Sequence, residues 1–272
     1  SIKDLSLIKN FSSSYNKDFR TMLVKSNRFG ILDRNNSDTI NKELKFIKNN
    51  NVRIEEVSKI GNKVGADYII ISNLNNLQKK QIFEKLSGET INISRIPVEI
   101  NVNIIDIATT QIVFSETIVL DFYNDNLKQL SKILSNRFAR KIVDTFYPAR
   151  LISVEGNRLI ADQGESFFNK KTKYTLNKLG KKIIDQTTGY ISDRIENQIG
   201  ILEFISGSDK QSTFKIKKLN KNNIKINANS GFVIRPIFEK LPSAKEIAKE
   251  RIKKIKQKNK QLKDKISKDK DW

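Results

Sequence analysis

Tyr147-Pro148-Ala149-Arg150-Leu151-Ile152-Ser153-Val154-Glu155-Gly156-Asn157-Arg158-Leu159-Ile160-Ala161 is the stretch on which the fold turns. Apolar side chains alternate with polar ones from Tyr147 to Val154, the pattern of a strand with one face buried and one face wet. Glu155-Gly156-Asn157 turns the chain, and Arg158 to Ala161 extends it again. Farther on, Ile183-Ile184 and Tyr190-Ile191 flank Asp185-Gln186-Thr187-Thr188-Gly189, which reads as two strands joined by a tight turn. Lys178-Leu179-Gly180 punctuates the same region. Gly200 interrupts the run Gln198–Phe204, where a barrel corner or a bulge takes a glycine. Residues 147–219 therefore read as a string of short strands.

Upstream, residues 1–147 mix helical and extended patterns. Asp18–Lys25 puts Phe19, Met22 and Leu23 on one helical face, after the capping serines Ser12-Ser13-Ser14. Arg28–Arg34 reads as a short apolar strand. Ile40, Leu44 and Ile47 predict a helix over Asn36–Asn50, and a second amphipathic piece, Glu55–Val64, stops at Gly65. Ala66–Ile71 follows as a buried strand. Val98, Ile100, Val102 and Ile104 then alternate with Glu99, Asn101 and Asn103 in a half-buried one. Asp106–Gln111 makes a turn, Ile112–Leu120 returns, and Asn124–Phe146 carries Leu127, Leu130, Ile133, Leu134, Phe138 and Ile142 at helical spacing. This order predicts an α/β layer sandwich.

The chain has 272 residues, enough for two domains of ordinary size, and its 38% apolar content can build cores. No run approaches the roughly 18–20 apolar residues of a spanning helix, so a soluble chain is expected. There is no cysteine and no histidine. That removes disulfides, thiolate nucleophiles, cysteine-based metal sites, the usual general base and the commonest metal ligand. Glycines at 61 and 65 lack the Lys-Ser/Thr that a phosphate loop needs, and Asp67 and Asp106 read as turn or cap residues. No catalytic, cofactor or metal residue is expected, and the chain reads as no enzyme. The formal net charge of +21 favours anionic partners: nucleic acid, anionic lipid headgroups or an acidic cell-wall polymer. Ser1-Ile2-Lys3-Asp4 carries no signal-peptide pattern and reads either as a processed end or as the start of a piece of a longer precursor.

Two resemblances add to this reading. The Tyr147-Pro148 entry, Leu179-Gly180, the Asp185–Gly189 hairpin and the Gly200 strand resemble the C-terminal SH3-like barrel of the flagellar assembly protein FlgT family, although Gln186 and Thr187 replace its usual Pro and Asp. Arg28-Phe29-Gly30-Ile31-Leu32-Asp33-Arg34, Gly65-Ala66-Asp67-Tyr68-Ile69-Ile70 and Val98–Thr109 resemble the fold shared by CsgG, the TolB N-terminal domain and the FlgT middle domain. Thr110 stands where that family has a hairpin glycine, and Leu5-Ser6-Leu7-Ile8 is the candidate for its leading strand. The resemblances imply an α/β domain over 1–147 and a barrel over 148–240. A CsgG-like pore is excluded: Gln78-Lys79-Lys80-Gln81 offers no lipid face to a hairpin turning at Ser87-Gly88-Glu89. The few residues between Leu120 and Asn124 leave no room for a second hairpin.

Residues 241–272 form a basic tail. After Pro242 and the capping Ser243, it holds 12 Lys or Arg against 5 Asp or Glu. Ala248, Ile252, Ile255, Asn259, Leu262 and Ile266 make a heptad seam, with Asn259 at a polar a position. Lys249, Lys256 and Lys263 fall at e and Arg251, Lys258 and Lys265 at g, so a parallel homodimer would oppose cation to cation. The seam therefore predicts a partner surface carried by Arg251, Ile252, Ile255, Lys258, Asn259, Leu262, Lys265 and Ile266: the acidic surface of another subunit, anionic lipid or acidic peptidoglycan. The bland alternative is a solvated helix laying one stripe on its own domain. Removing 243–272 is expected to leave both domains folded.

The resemblances imply a non-enzymatic periplasmic protein near the outer membrane of a Gram-negative bacterium, a ring-forming homo-oligomer at the flagellar basal body. The alternatives are an accessory of outer-membrane secretion or cell-wall synthesis, and a nucleic-acid-binding protein. The last is disfavoured because aromatic residues do not interleave with the basic ones.

Overall fold

The alternation at Val98–Ile104 belongs to an 18-residue strand, Glu89–Asp106, which organises everything around it. A computed structural model of the chain describes residues 5–32, 66–184, 186, 191–220 and 225–268. Their elements are α1 (Leu5–Lys25), β1 (Tyr68–Leu77), β2 (Lys80–Leu86), β3 (Glu89–Asp106), β4 (Ile112–Phe122), α2 (Leu127–Phe146), β5 (Ala149–Glu155), β6 (Arg158–Ala161), β7 (Lys173–Ile184), β8 (Ile191–Gly207), β9 (Ser212–Leu219), β10 (Phe232–Pro236) and α3 (Ala244–Lys268). The chain divides into two compact units, one made of residues 1–13, 49–131 and 240–272, the other of 14–48 and 132–239.

This corrects the expected fold class. Ten strands, three α-helices and one short 3-10 helix (Glu165–Phe167) stand among the described residues, a mostly β architecture without an α/β layer sandwich. The helices expected at 36–50 and 55–64 lie outside the described residues. The span 78–95, set aside only as a membrane-spanning hairpin, does form a hairpin, with strands on either side of a turn at Ser87-Gly88. Backbone pairing with β3 holds it extended whatever its side chains prefer.

In the first unit, β3 pairs antiparallel with β1 through Val98–Asp106, with β2 through Glu89–Arg95, and with β4 through Ile96–Ile105. Leu77 opposite Val98 and Lys80 opposite Arg95 keep one offset, so β1 and β2 follow each other end to end beside β3. The β2–β3 turn is Ser87-Gly88, with φ of 54° and 81°. Two positive φ values in succession are what a two-residue hairpin turn of the right twist requires, and glycine takes the second at no steric cost.

The apolar pattern of β3 changes phase at Ser94-Arg95. Ile96, Val98, Ile100, Val102 and Ile104 are buried on even positions, whereas Ile93 is buried and Ile91 half-buried on odd ones. Against β2 and β4 the register of β3 is unbroken from Glu89 to Ile104, and the one shift against β1 lies on the β1 side, between Leu74 and Asn76. The two sets therefore point to opposite faces. One strand thus serves two layers. Its odd face is covered by α3: Ala244 and Ala248 meet Ile93, with Ile82, Leu86, Ile91, Tyr123 and Ile247 around them.

In the second unit, β10-β5-β6-β9-β8-β7 close into a barrel. Closure depends on the five residues of β10, which pair with both β5 and β7. Inward positions carry Leu151, Leu159, Tyr174, Leu176, Leu202, Phe204, Phe214, Phe232 and Ile234. Phe168, Tyr174, Phe204 and Phe214 meet at ring-centroid distances of 4.9–5.8 Å, mostly edge to face, the arrangement that ring quadrupoles favour. The strands flanking the expected 185–189 turn are present, with Ile184 opposite Ile191, while the turn itself lies outside the described residues. Gly200 sits beside a register irregularity of β8, where a Cβ would come within 2.5 Å of the Lys218 carbonyl oxygen.

α1 begins earlier than its sequence suggests. Phe11, Tyr15, Phe19 and Leu23 are buried at a four-residue repeat, so the serines at 12–14 are helix interior rather than a cap, and Leu5–Ile8 is helix rather than a leading strand. Within the second unit, Tyr15 stacks on Phe19 at 5.6 Å and meets Phe138 of α2 edge-on at 6.3 Å. The Ser135 hydroxyl donates to the Tyr15 carbonyl over 3.1 Å.

Candidate partner-binding surface

α3 begins as the sequence dictates. Ser243 caps it, and the Glu246 carboxylate accepts hydrogen bonds from the Ser243 amide and hydroxyl, both 2.7 Å long. This is a capping box. Bonding to the Ser243 amide, then to its hydroxyl, holds the Glu246 carboxyl below the usual carboxylate range. Glu250 is likewise held low, by hydrogen bonding and charge from Lys254, 2.6 Å away. Both acidic groups of the first turns are thus satisfied within the helix.

The predicted residues fall into two groups. Ala248 and Ile252 are buried, and Arg251 donates to the Asn92 carbonyl of β3 over 2.7 Å, so the first half of the seam covers the β2–β3 hairpin. From Lys253 to Leu262 every residue is exposed. Ile255 is 41% and Leu262 49% exposed, with Lys258 and Asn259 in the same open segment. Lys265 and Ile266 continue the helix, but their side chains lie outside the described residues. Lys249, Lys253, Lys256 and Lys260 border a shallow groove of about 460 Å³ with Ile252 and Gln257. The arrangement offers cations and a thin apolar line, and nothing nucleophilic. No helix among the described residues is long and apolar enough to cross a membrane.

The uncovered face of the same hairpin carries Phe83, which stands opposite Asn92 and is 67% exposed. Its position in the polar run Lys80–Lys85 gave no sequence signal beyond an isolated aromatic.

A charged cluster in the second unit escaped the sequence reading. Arg235 of β10 donates to both Glu196 of β8 (2.6 Å) and the Asp144 backbone carbonyl of α2, with the Asp144 carboxylate 3.7 Å away. Burial pushes the Asp144 carboxyl up to about 7; Arg235 and Arg140 oppose that rise and Glu196 adds to it. Glu196 moves the other way. Burial raises it, but hydrogen bonds from Arg235 and Asn177 prevail and hold it low. Arg140 is buried, donates to Asn136 over 2.6 Å, and stacks over the Phe167 ring at 4.7 Å. The signal available was an arginine and an aspartate at the ends of apolar runs, Phe232–Pro236 and Ile142–Phe146. The cluster fastens helix to barrel. Among the described residues, no group of three or more carboxylates could hold a metal ion.

Residues 12–118 match the family model described as peptidoglycan-synthase activator LpoB. The match covers under half of the chain, most of α1 and the sheet from β1 into β4, and includes neither the barrel nor α3. No curated protein matches the chain. The flagellar and CsgG-like resemblances are thereby overturned, and with them the basal-body ring. Those motifs are short strand-and-turn patterns that many β folds generate, whereas the model match spans a continuous 12–118. The cell-wall alternative is the one the match favours. The chain is similar to proteins that act on a synthase rather than to the synthase itself.

Proposed function

We propose that this chain is a non-catalytic accessory of cell-wall synthesis, working in the periplasm by contacting and stimulating a peptidoglycan synthase. The observation that carries the reading is the match over 12–118 to the peptidoglycan-synthase activator family. Two features support it. The chain lacks every cysteine and histidine, which suits a protein that acts by contact. Its charge of +21 suits work beside an acidic polymer. We assign synthase contact to the sheet β1–β4, which together with most of α1 is what the match includes among the described residues.

The test is direct. Glycan polymerisation and peptide cross-linking by the peptidoglycan synthases of the same organism are measured with and without the purified chain. A saturable rise in rate, with co-purification of one synthase, is expected. Unchanged rates together with no measurable association would overturn the proposal.

A further inference from the structure

The exposed half of α3 has a chemistry that synthase contact through the sheet does not use. Between Arg251 and Lys263 there are seven cationic residues and no acidic one. Every residue from Lys253 to Leu262 is exposed. Ile255 and Leu262 are seven apart, so at 3.6 residues per turn they lie on one side of the helix. The same period places Lys254 and Lys258 along one margin of that line and Lys256 along the other. Lysine stems can run beside an apolar surface while their ammonium groups stay in water.

We infer that α3 beyond Ile252 is an interfacial arm that lies on an anionic lipid surface, with Ile255 and Leu262 dipped below the headgroups and the flanking lysines among them. A soluble acidic polymer would recognise the charges but give the two exposed apolar side chains nothing to bury against. Self-association is opposed by the cations on both margins. A helix with a narrow apolar line and a cationic remainder is the form that binds in the plane of a membrane rather than across it. The arm is anchored at its start, because Ala248 and Ile252 are buried and Arg251 is bonded to Asn92. The inference is independent of synthase stimulation, which is read in a vesicle-free assay.

The experiment sediments the full chain with phosphatidylcholine vesicles, with and without phosphatidylglycerol, and offers polyglutamate as a soluble competitor. Binding is expected only to the anionic vesicles. It should be lost between about 0.1 M and about 1 M salt, as the screening length falls from about 10 Å to about 3 Å. The double variant I255S/L262S keeps every charge and should bind at least about tenfold more weakly, since each side chain's burial is worth that much or more. The triple variant K254E/K256E/K258E should not bind. Wild-type affinity in the serine variant, or polyglutamate bound as tightly as vesicles, would make the arm a general polyanion handle and overturn the lipid assignment. Absence of binding to anionic vesicles at low salt would overturn it outright.

Discussion

The carboxylate of Asp144, at the end of α2, lies 3.7 Å from the guanidinium of Arg235 in the closing strand of the barrel, and yet it is harder to ionise than an ordinary aspartate. Burial outweighs the nearby charge. This pair therefore stabilises the fold in a pH-dependent way, with the reverse of the usual acidic-residue sign.

In the folded chain the Asp144 carboxyl keeps its proton up to about 7, against an ordinary value of 3.8. The folded state binds that proton more tightly than the unfolded one, so this group favours folding most below 3.8 and progressively less as the pH climbs to about 7. Melting temperatures of wild type and Asp144→Asn, compared at about pH 5 and about pH 8, should show wild type losing more stability than the variant over that interval. Parallel curves would refute the shift.

Arg235 joins Glu196 and Asp144, so its loss leaves the Glu196 carboxylate in a partly buried site without its guanidinium partner, beside the Asp144 carboxyl. Arg235→Met should cost roughly 2 kcal/mol or more, at the low end for a buried pair because these side chains retain some exposure. Chemical denaturation should register it as a lower midpoint with an unchanged slope.

Gly200→Val tests the close approach of β8 to β9. Its Cβ would stand 2.5 Å from the Lys218 carbonyl and 3.0 Å from Leu219 Cδ2, so backbone must shift. A loss of about 1–3 kcal/mol is expected, typical of overpacking. An unaltered melting temperature would show that the strands separate freely there.

Truncation separates the two halves of α3. Ending the chain after Lys254 leaves Ala244, Ala248 and Ile252 in place and should not change thermal stability. Ending it after Leu241 uncovers Ile93 and its neighbours and should lower it by about 2–5 kcal/mol, the scale of lost core contacts. The expectation that both domains stay folded without 243–272 thus narrows to the residues beyond Ile252.

Much of the architecture was legible where local pattern and burial agree. Val98–Ile104 alternates because one face of β3 is buried, Leu127–Phe146 repeats at helical spacing because it buries one stripe, and Ser243 after Pro242 announces a helix start. What failed had a tertiary cause. β10 is short and ends in proline, and only pairing on both sides makes it a strand. Lys80–Leu86 is extended because β3 holds it, against a polar composition. The serines at 12–14 suggested a cap, but Phe11 and Tyr15 are buried on either side of them. For the candidate surface, the heptad seam was visible, but its division into a covered half and an open half was not. That boundary is set by where the β2–β3 hairpin ends, a length no residue of α3 encodes.

The placement of α3 on the β2–β3 hairpin also orders events as the chain emerges into the compartment where it folds, N-terminal end first. The whole barrel, Ala149 through Pro236, is translated between Ile93 and the helix that covers it. The barrel can close as soon as β10 emerges, while the odd-numbered isoleucines of β3 stay wet until Ala248 arrives. Chains that stall in this interval would present Ile91 and Ile93 to chaperones, and maturation of the sheet waits on arrival of the most basic part of the polypeptide.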